Sequence, residues 1–262
     1  MANSLYKNFP DDNDKLERFV NGQVYLTPPK YFNDPWDFRL RSEPWTKELV
    51  KREIGNSLSP EELDEFYSKE ASTAVFLEDE AGEQQKGLSE LIGVVCLTED
   101  PLNRLMWANY GNSHKGFVAE FRCTRFRSFE ENGRSFPICT SPFGETDAVK
   151  VQYLPEHPDL KRDKSNMQEV VRTKHNLWGY ENEWRVIESL KKATPHPKKA
   201  GYYLLWFKPG DLLRVIIGLQ ASDNVKFQLR QMLSHDEYSH VVKEEAFINP
   251  ETRDLDTRPL PW

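Results

Sequence analysis

The chain has 262 residues, of which 38% are hydrophobic and 29% charged, with a formal net charge of −7. That length suffices for a sizeable core in one large or two small domains, and an aromatic content of 12%, with seven Trp, excludes global disorder. The acidic balance excludes broad nucleic-acid binding, and no apolar run approaches the roughly 18 residues that a membrane span requires.

Ser4–Asn8 is predicted as a first strand. An acidic start at Asp12, apolar Leu16, Phe19 and Val20 on one face, and Gly22 as a stop predict a helix over Asp12–Asn21. Gln23–Thr27 (QVYLT) alternates as a strand up to Pro28-Pro29 and is expected to pair with the first. A loop, FNDPWDF, covers Phe32–Phe38. Ser59-Pro60-Glu61-Glu62 is a capping box with Pro at the first helical position, and predicts a charged helical insertion over 59–91 with an interruption near Gly82 and Gly87.

Ile92–Leu97 (IGVVCL) is continuously apolar and β-branched, the pattern of a buried central strand. There follow a short helix over Leu102–Tyr110, a strand over Phe117–Phe121, an irregular excursion over 126–147, an alternating strand over Val149–Leu154 and a helix over Asp163–Leu177. Strands are predicted at Glu183–Ile187, Tyr202–Phe207 and Leu212–Ile217, then a helix over Ser222–Leu233 and a final edge strand at His240–Glu244. The tail beyond Asn249 is expected to be a surface segment. The sum is a single α+β domain over 1–262: a mixed, mainly antiparallel sheet of about eight short strands with helices packed against it.

The N-terminus lacks the basic and apolar regions of a secretory signal, so a cytoplasmic chain with no membrane partner is expected. Cys96, Cys123 and Cys139 are odd in number and lack C-x-x-C spacing, so neither a disulfide framework nor a metal is expected. The patterns G-x-G-x-x-G, G-x-x-x-x-G-K-[ST], H-E-x-x-H and G-x-S-x-G do not occur, which removes phosphate-loop hydrolysis and serine-hydrolase chemistry.

Four segments hold more polar and aromatic chemistry than packing alone requires. In Phe32–Asp37, Asn33 and Asp34 precede Pro35, so the segment is either a rigid turn or a turn that presents one of them to a ligand. Trp107 and Tyr110 share a helical face, and His114 follows in a Gly-bounded turn, which forms either a stacking platform or ordinary packing. The densest segment is Lys174–Arg185. Glu183, Arg185 and Ile187 share one strand face, opposite Trp184 and Val186. A carboxylate and a guanidinium entering a sheet need partners, so they form an internal ion pair or a site. Glu181 and Glu183 could also act together, one orienting a substrate and the other stabilising developing positive charge. The fourth is Leu5-Tyr6-Lys7 on the first strand, facing Tyr25–Thr27.

In this order, LYK, YLTPPKYFNDPWDF, VVCLTED, LMWANYGNSHKGFVAEF, VKVQYL, KHNLWGYENEWR and VIIGL resemble the domain-of-unknown-function family 2971. The resemblance runs over about 5–219, and the stretches 59–91 and 126–147 stand out as this chain's own additions. The layout is also similar to that of ADP-ribosyltransferases, in which a first-strand His or Arg, a second-strand Tyr or Ser and a later Glu grip NAD. That similarity implies Glu183 as the group favouring an oxocarbenium-like state and Glu181 as the acceptor-orienting group of a Glu-x-Glu pair. On that reading Tyr6, Lys7 and Thr27 are grips on NAD, Trp107 and Tyr110 a stacking wall, and Asn33, His114 and Arg185 further cofactor-binding residues. Tyr6-Lys7 departs from the His or Arg of the pattern. On this reading the chain is an NAD-using enzyme, with a toxin or phage-defence component as one setting. The alternatives are a non-catalytic module for a small ligand, a nucleotide or a protein, and a core in which the same residues serve as ion pairs and packing.

Overall fold

The computed structural model describes residues 4–38, 86–131, 134–156 and 167–260. The predicted capping box and most of the 59–91 insertion lie outside those residues; 86–91 is helical and runs directly into the following strand.

In chain order the first half comprises β1 (Ser4–Phe9), α1 (Asn13–Val20), β2 (Gln23–Leu26), β3 (Ile92–Thr98), α2 (Arg104–Asn109), β4 (Phe117–Arg122), β5 (Thr124–Glu131), β6 (Arg134–Thr140) and β7 (Asp147–Lys150). The second half adds β8 (Gln152–Leu154), α3 (Met167–Arg172), β9 (Thr173–His175), β10 (Glu183–Ser189), β11 (Thr194–Pro195), β12 (Tyr203–Trp206), β13 (Leu212–Ile217), α4 (Asp223–Leu233), β14 (Val242–Ile248) and β15 (Leu255–Pro259). Ten strands form one open sheet in the order β15-β14-β13-β4-β1-β3-β10-β7-β6-β5. Every pairing in it is antiparallel except β13 with β14, which α4 connects as a crossover. The chain is therefore α+β and sheet-dominated, with more strands than the sequence suggested.

The helices α1, α2 and α4 begin where the sequence supplies a cap. The Asp12 side chain accepts from the Lys15 N–H, Asn103 from Leu105 and Met106, and Ser222 from Val225. One sheet face buries Leu5, Phe9, Phe117 and Phe121 against Leu16 and Phe19 of α1 and Val225 and Leu229 of α4. Phe19 packs at 4.8–5.4 Å from Phe9, Phe117 and Phe207, so four rings lock α1 to the sheet. Each such ring, fully buried, contributes on the order of 2 kcal/mol. The opposite face holds Trp107, Val118, Ile216, Ala246 and Leu255 under α2.

Five expectations need correction. The 126–147 excursion is mostly the hairpin β5–β6 at the sheet edge, with Asn132-Gly133, the dipeptide hairpins favour, between its strands in the sequence. The Val149–Leu154 strand is divided. After Lys150 the Val151 N–H donates to the Glu183 carbonyl at 2.9 Å, and β8 leaves the main sheet to pair in parallel with β9. The helix expected over Asp163–Leu177 ends at Arg172, because pairing with β8 draws Thr173–His175 into a strand; residues 163–166 lie outside the described part. The strand at 240–244 runs over Val242–Ile248 and is not the edge, since the polar tail returns as β15. Finally, β2 pairs with β12 in a three-stranded sheet, not with β1. At Val149–Leu154, at 240–244 and at β2, alternation reported a strand correctly or nearly so, but it carries no information about the partner.

Candidate functional site

The main sheet has a weak seam. β1 pairs with β4 from Ser4 to Phe9, and β3 with β10 from Ile92 to Thr98. Between them β1 and β3 share the register pair Tyr6↔Thr98 alone. Beyond that pair the two halves part, and Thr27 bridges to Val94 of β3 with backbone bonds of 2.9 and 3.0 Å. A cavity of about 440 Å³ opens in the gap. Its walls come from β1 (Tyr6, Lys7, Asn8), β3 (Val94, Cys96, Thr98), the segment Tyr31–Asn33, α2 and its exit (Met106, Asn109, Tyr110), and Lys174, Glu181 and Glu183.

One end of the cavity is a buried ionic cluster. Glu181 closes a 3-10 turn over Asn176–Glu181, and Asn182 follows in the left-handed region at φ 44°. Asn tolerates that conformation better than most residues. The reversal brings the carboxylates of Glu181 and Glu183 to the same ammonium: Lys174 Nζ lies 2.6 Å from Glu181 and 3.3 Å from Glu183. Arg185 donates from Nε to Glu183 at 2.9 Å and from Nη2 to Glu183 at 3.0 Å and to Asp37 at 2.6 Å. Its Nη1 donates to the Val171 carbonyl at 3.1 Å, and the guanidinium lies 4.7 Å from the Phe38 ring centre. Tyr110 donates its hydroxyl to Glu181 at 2.5 Å and accepts from Asn33 Nδ2 at 3.0 Å.

Three carboxyls (Asp37, Glu181, Glu183) thus face two fixed cations (Lys174, Arg185), all buried. Burial raises the cost of ionising any of the three, and the environment then separates them. For Glu183 the Arg185 and Lys174 charges outweigh burial and hold its carboxyl well below the usual range. For Glu181 burial and the neighbouring Glu183 charge prevail over Lys174 and Tyr110, and its pKa is pushed up to about 7. Asp37 is also raised, by burial and by Glu183, against the pull of Arg185. The excess negative charge thus favours a bound proton, and Glu181 and Asp37 are the carboxyls pushed towards holding it. Burial and Glu181 push the Tyr110 hydroxyl up, which keeps it a donor.

The cavity wall also carries basic groups. Lys7 donates to the Cys96 carbonyl at 3.2 Å, and burial draws its ammonium below the usual lysine value. Lys15 projects from α1 at the rim, and the side-chain amide of Asn8 is buried with neither its nitrogen nor its oxygen bonded.

Of the residues singled out in the sequence, Tyr6, Lys7, Thr27, Asn33, Tyr110, Glu181 and Glu183 line this one cavity. Arg185 is fully buried behind Glu183 and positions it. Trp107 and His114 do not line it. Trp107 is fully buried on the far side of α2, with Nε1 donating to the Pro101 carbonyl at 2.8 Å, so it is not a stacking wall. His114 belongs to a run of three left-handed residues, Asn112–His114, that folds its ring against Trp107 at 5.8 Å. Asp34 is buried and accepts from the Trp36 N–H at 2.9 Å, as a turn residue does.

The sequence reading passed over Asp37 and Asn8. Asn8 was accessible, because a period of two places it on the face of Tyr6. Asp37 carried no local signal, since its partner Arg185 is 148 residues away. Among the described residues no group of three or more His, Cys, Asp and Glu is arranged to hold a metal ion, and no helix is long and apolar enough to cross a membrane.

In comparison with known proteins, no curated protein and no solved structure matches the chain. One family model does match, over residues 106–186, which run from α2 into β10 and include Tyr110, Lys174, Glu181, Glu183 and Arg185. That segment, which carries most of the ionic cluster of the cavity, is similar to the family described as Protein of unknown function (DUF2971).

Proposed function

We propose that the cavity is the active site of a glycosyl-transfer enzyme, related in layout to ADP-ribosyltransferases, that uses NAD. The observation carrying this reading is the pair Glu181 and Glu183: two carboxyls on one ammonium whose protonation is driven apart. Such a split assigns an acid/base role to one and a fixed negative charge to the other. As the bond between nicotinamide nitrogen and ribose C1′ breaks, its electron pair leaves with nicotinamide and positive charge develops on the ribose. Glu183, ionised throughout, stabilises that charge. Glu181, near half-ionised at neutral pH, removes the proton from the hydroxyl or water that attacks C1′. Tyr110 and Asn33 orient Glu181 through the chain of hydrogen bonds between them.

The test is to incubate the full chain with NAD and follow nicotinamide release. Release is expected from the wild type and should fall about a hundredfold or more in Glu181→Gln. If the wild type neither releases nicotinamide nor is stabilised thermally by NAD, the reading fails. A second reading, a non-catalytic binding module, is favoured by the bidentate hold of Arg185 on Glu183, which satisfies that carboxylate without any ligand. Under it NAD raises the melting temperature with no release of nicotinamide.

A further inference from the structure

The ionic cluster leaves the basic residues of the cavity wall unexplained. Lys7 and Lys15 both line the cavity, and the Lys15 charge adds to burial in disfavouring the Lys7 ammonium, against the pull of Glu183. Among the described residues neither makes an ion pair. Lys150, Lys174, Lys192, Lys198 and Lys199, by contrast, each lie within 3.4 Å of a carboxylate oxygen. What Lys7 does make is a bond to a neutral carbonyl and a 5.8 Å approach to the Phe9 ring, and Lys15 lies 6.0 Å from the Tyr25 ring. Neither neutralises an ammonium. Asn8, which follows Lys7 on β1 and lines the same cavity, has both a donor and an acceptor buried and unbonded. A buried polar group without a partner costs free energy comparable to a lost hydrogen bond, so its presence at a cavity wall points to a partner that arrives from outside.

We propose that Lys7, Asn8 and Lys15 form an anion subsite that takes the pyrophosphate of a nucleotide ligand. An ammonium is a compact point charge suited to phosphate oxygens, and the Asn8 amide adds a directed donor on the same cavity wall. The Glu181 and Glu183 carboxylates repel the same group, so a ligand with an anionic middle and a ring that becomes positive is oriented one way round. Phe32 on the wall offers an aromatic surface to a base, while Tyr31 beside it is stacked on Tyr202 at 4.6 Å. This subsite rests on the cavity being a ligand site, but not on NAD being cleaved there.

The experiment is a calorimetric titration of the full chain with ADP-ribose, inorganic pyrophosphate and adenosine, the last lacking phosphate. ADP-ribose is expected to bind the wild type, with an affinity that falls as salt rises, and to lose about tenfold or more in Lys7→Gln. Lys15→Gln, at an exposed rim position where folding is not at stake, should weaken ADP-ribose in the same sense and leave adenosine unchanged. If pyrophosphate binds and ADP-ribose does not, the site is one for free anions and the nucleotide assignment is overturned. The proposal is equally overturned if ADP-ribose does not bind the wild type, or binds both variants as tightly as the wild type. Lysine-dependent ADP-ribose binding without nicotinamide release from NAD would uphold the subsite while removing the catalytic reading.

Discussion

Arg185 and Glu183 stand two residues apart on β10 and meet side to side, Nε to Oε1 at 2.9 Å and Nη2 to Oε2 at 3.0 Å. The same Nη2 reaches Asp37, so one guanidinium ties the strand to the loop that begins at Phe32. Removing either partner breaks a buried ion pair. Glu183→Gln still leaves Asp37 to Arg185 and Glu181 to Lys174, whereas Arg185→Met leaves three carboxyls facing Lys174 alone. Both should destabilise the protein, by about 3–5 kcal/mol, with Arg185→Met the more costly. Urea denaturation of the two variants measures the order. The reverse order would show that Glu183, not Arg185, is the hub of the cluster.

Glu181 makes stability depend on pH in a definite direction. Its pKa rises from 4.5 to about 7 on folding, so between those values the folded state binds more protons than the unfolded one. Stability from this group is complete below about pH 4.5 and is lost as pH rises through 7, by a total of order 3 kcal/mol. Glu183 acts oppositely, its contribution being lost as pH falls well below the usual carboxylate range. Glu181→Gln, which mimics the protonated form, should therefore flatten the loss between pH 5 and about 8. Chemical denaturation at a series of pH values gives the difference curve, and a wild type and variant that run parallel would refute the assignment.

Tyr110→Phe removes the hydroxyl that donates to Glu181 and accepts from Asn33. The loss should cost about 1 kcal/mol. It should also move the Glu181 inflection to higher pH, because a hydrogen bond that favours the ionised carboxylate is gone. Carboxyl-carbon NMR titration reads the shift; an inflection that moves to lower pH would mean that the hydroxyl serves the protonated form instead.

The two faces of α2 should respond very differently. Trp107 is fully buried between α2 and the sheet, whereas Leu105 is 52% exposed. Trp107→Ala should cost about 3–5 kcal/mol. Leu105→Ala should remain within about 0.5 kcal/mol of wild type. Thermal denaturation separates them, and equal melting temperatures would contradict the packing of this helix.

Much of the candidate site was legible because it depends on residue type and near spacing. Glu181, Glu183 and Arg185 stood out as charges entering a strand, and Tyr6 and Lys7 as polar residues on another. Trp107 was misplaced for a physical reason. Helical spacing set Trp107 and Tyr110 on one face, but a short helix lying on a sheet can bury one of such a pair and expose its neighbour. Tyr110 found Glu181 and the cavity; Trp107 found Val118 and Ile216. Asp37 was illegible, because an aspartate after a turn proline has many local uses and its use here lies across the fold.

By itself the sequence determined the alternation of helices and strands, the caps that begin α1, α2 and α4, and the clustering of acidic and aromatic residues before β10. Those follow from local forces: backbone preference, capping and apolar periodicity. Only the tertiary structure decided that β1 and β3 meet at Tyr6 and Thr98 and then part, leaving a cavity lined by both acidic and basic groups. Strand pairing is a choice among many partners of similar local quality, settled by the whole core at once. Protonation followed from the same choice. Glu181 and Glu183 are the same amino acid, and burial beside Lys174 and Arg185 made one hold its proton near neutrality and the other give it up.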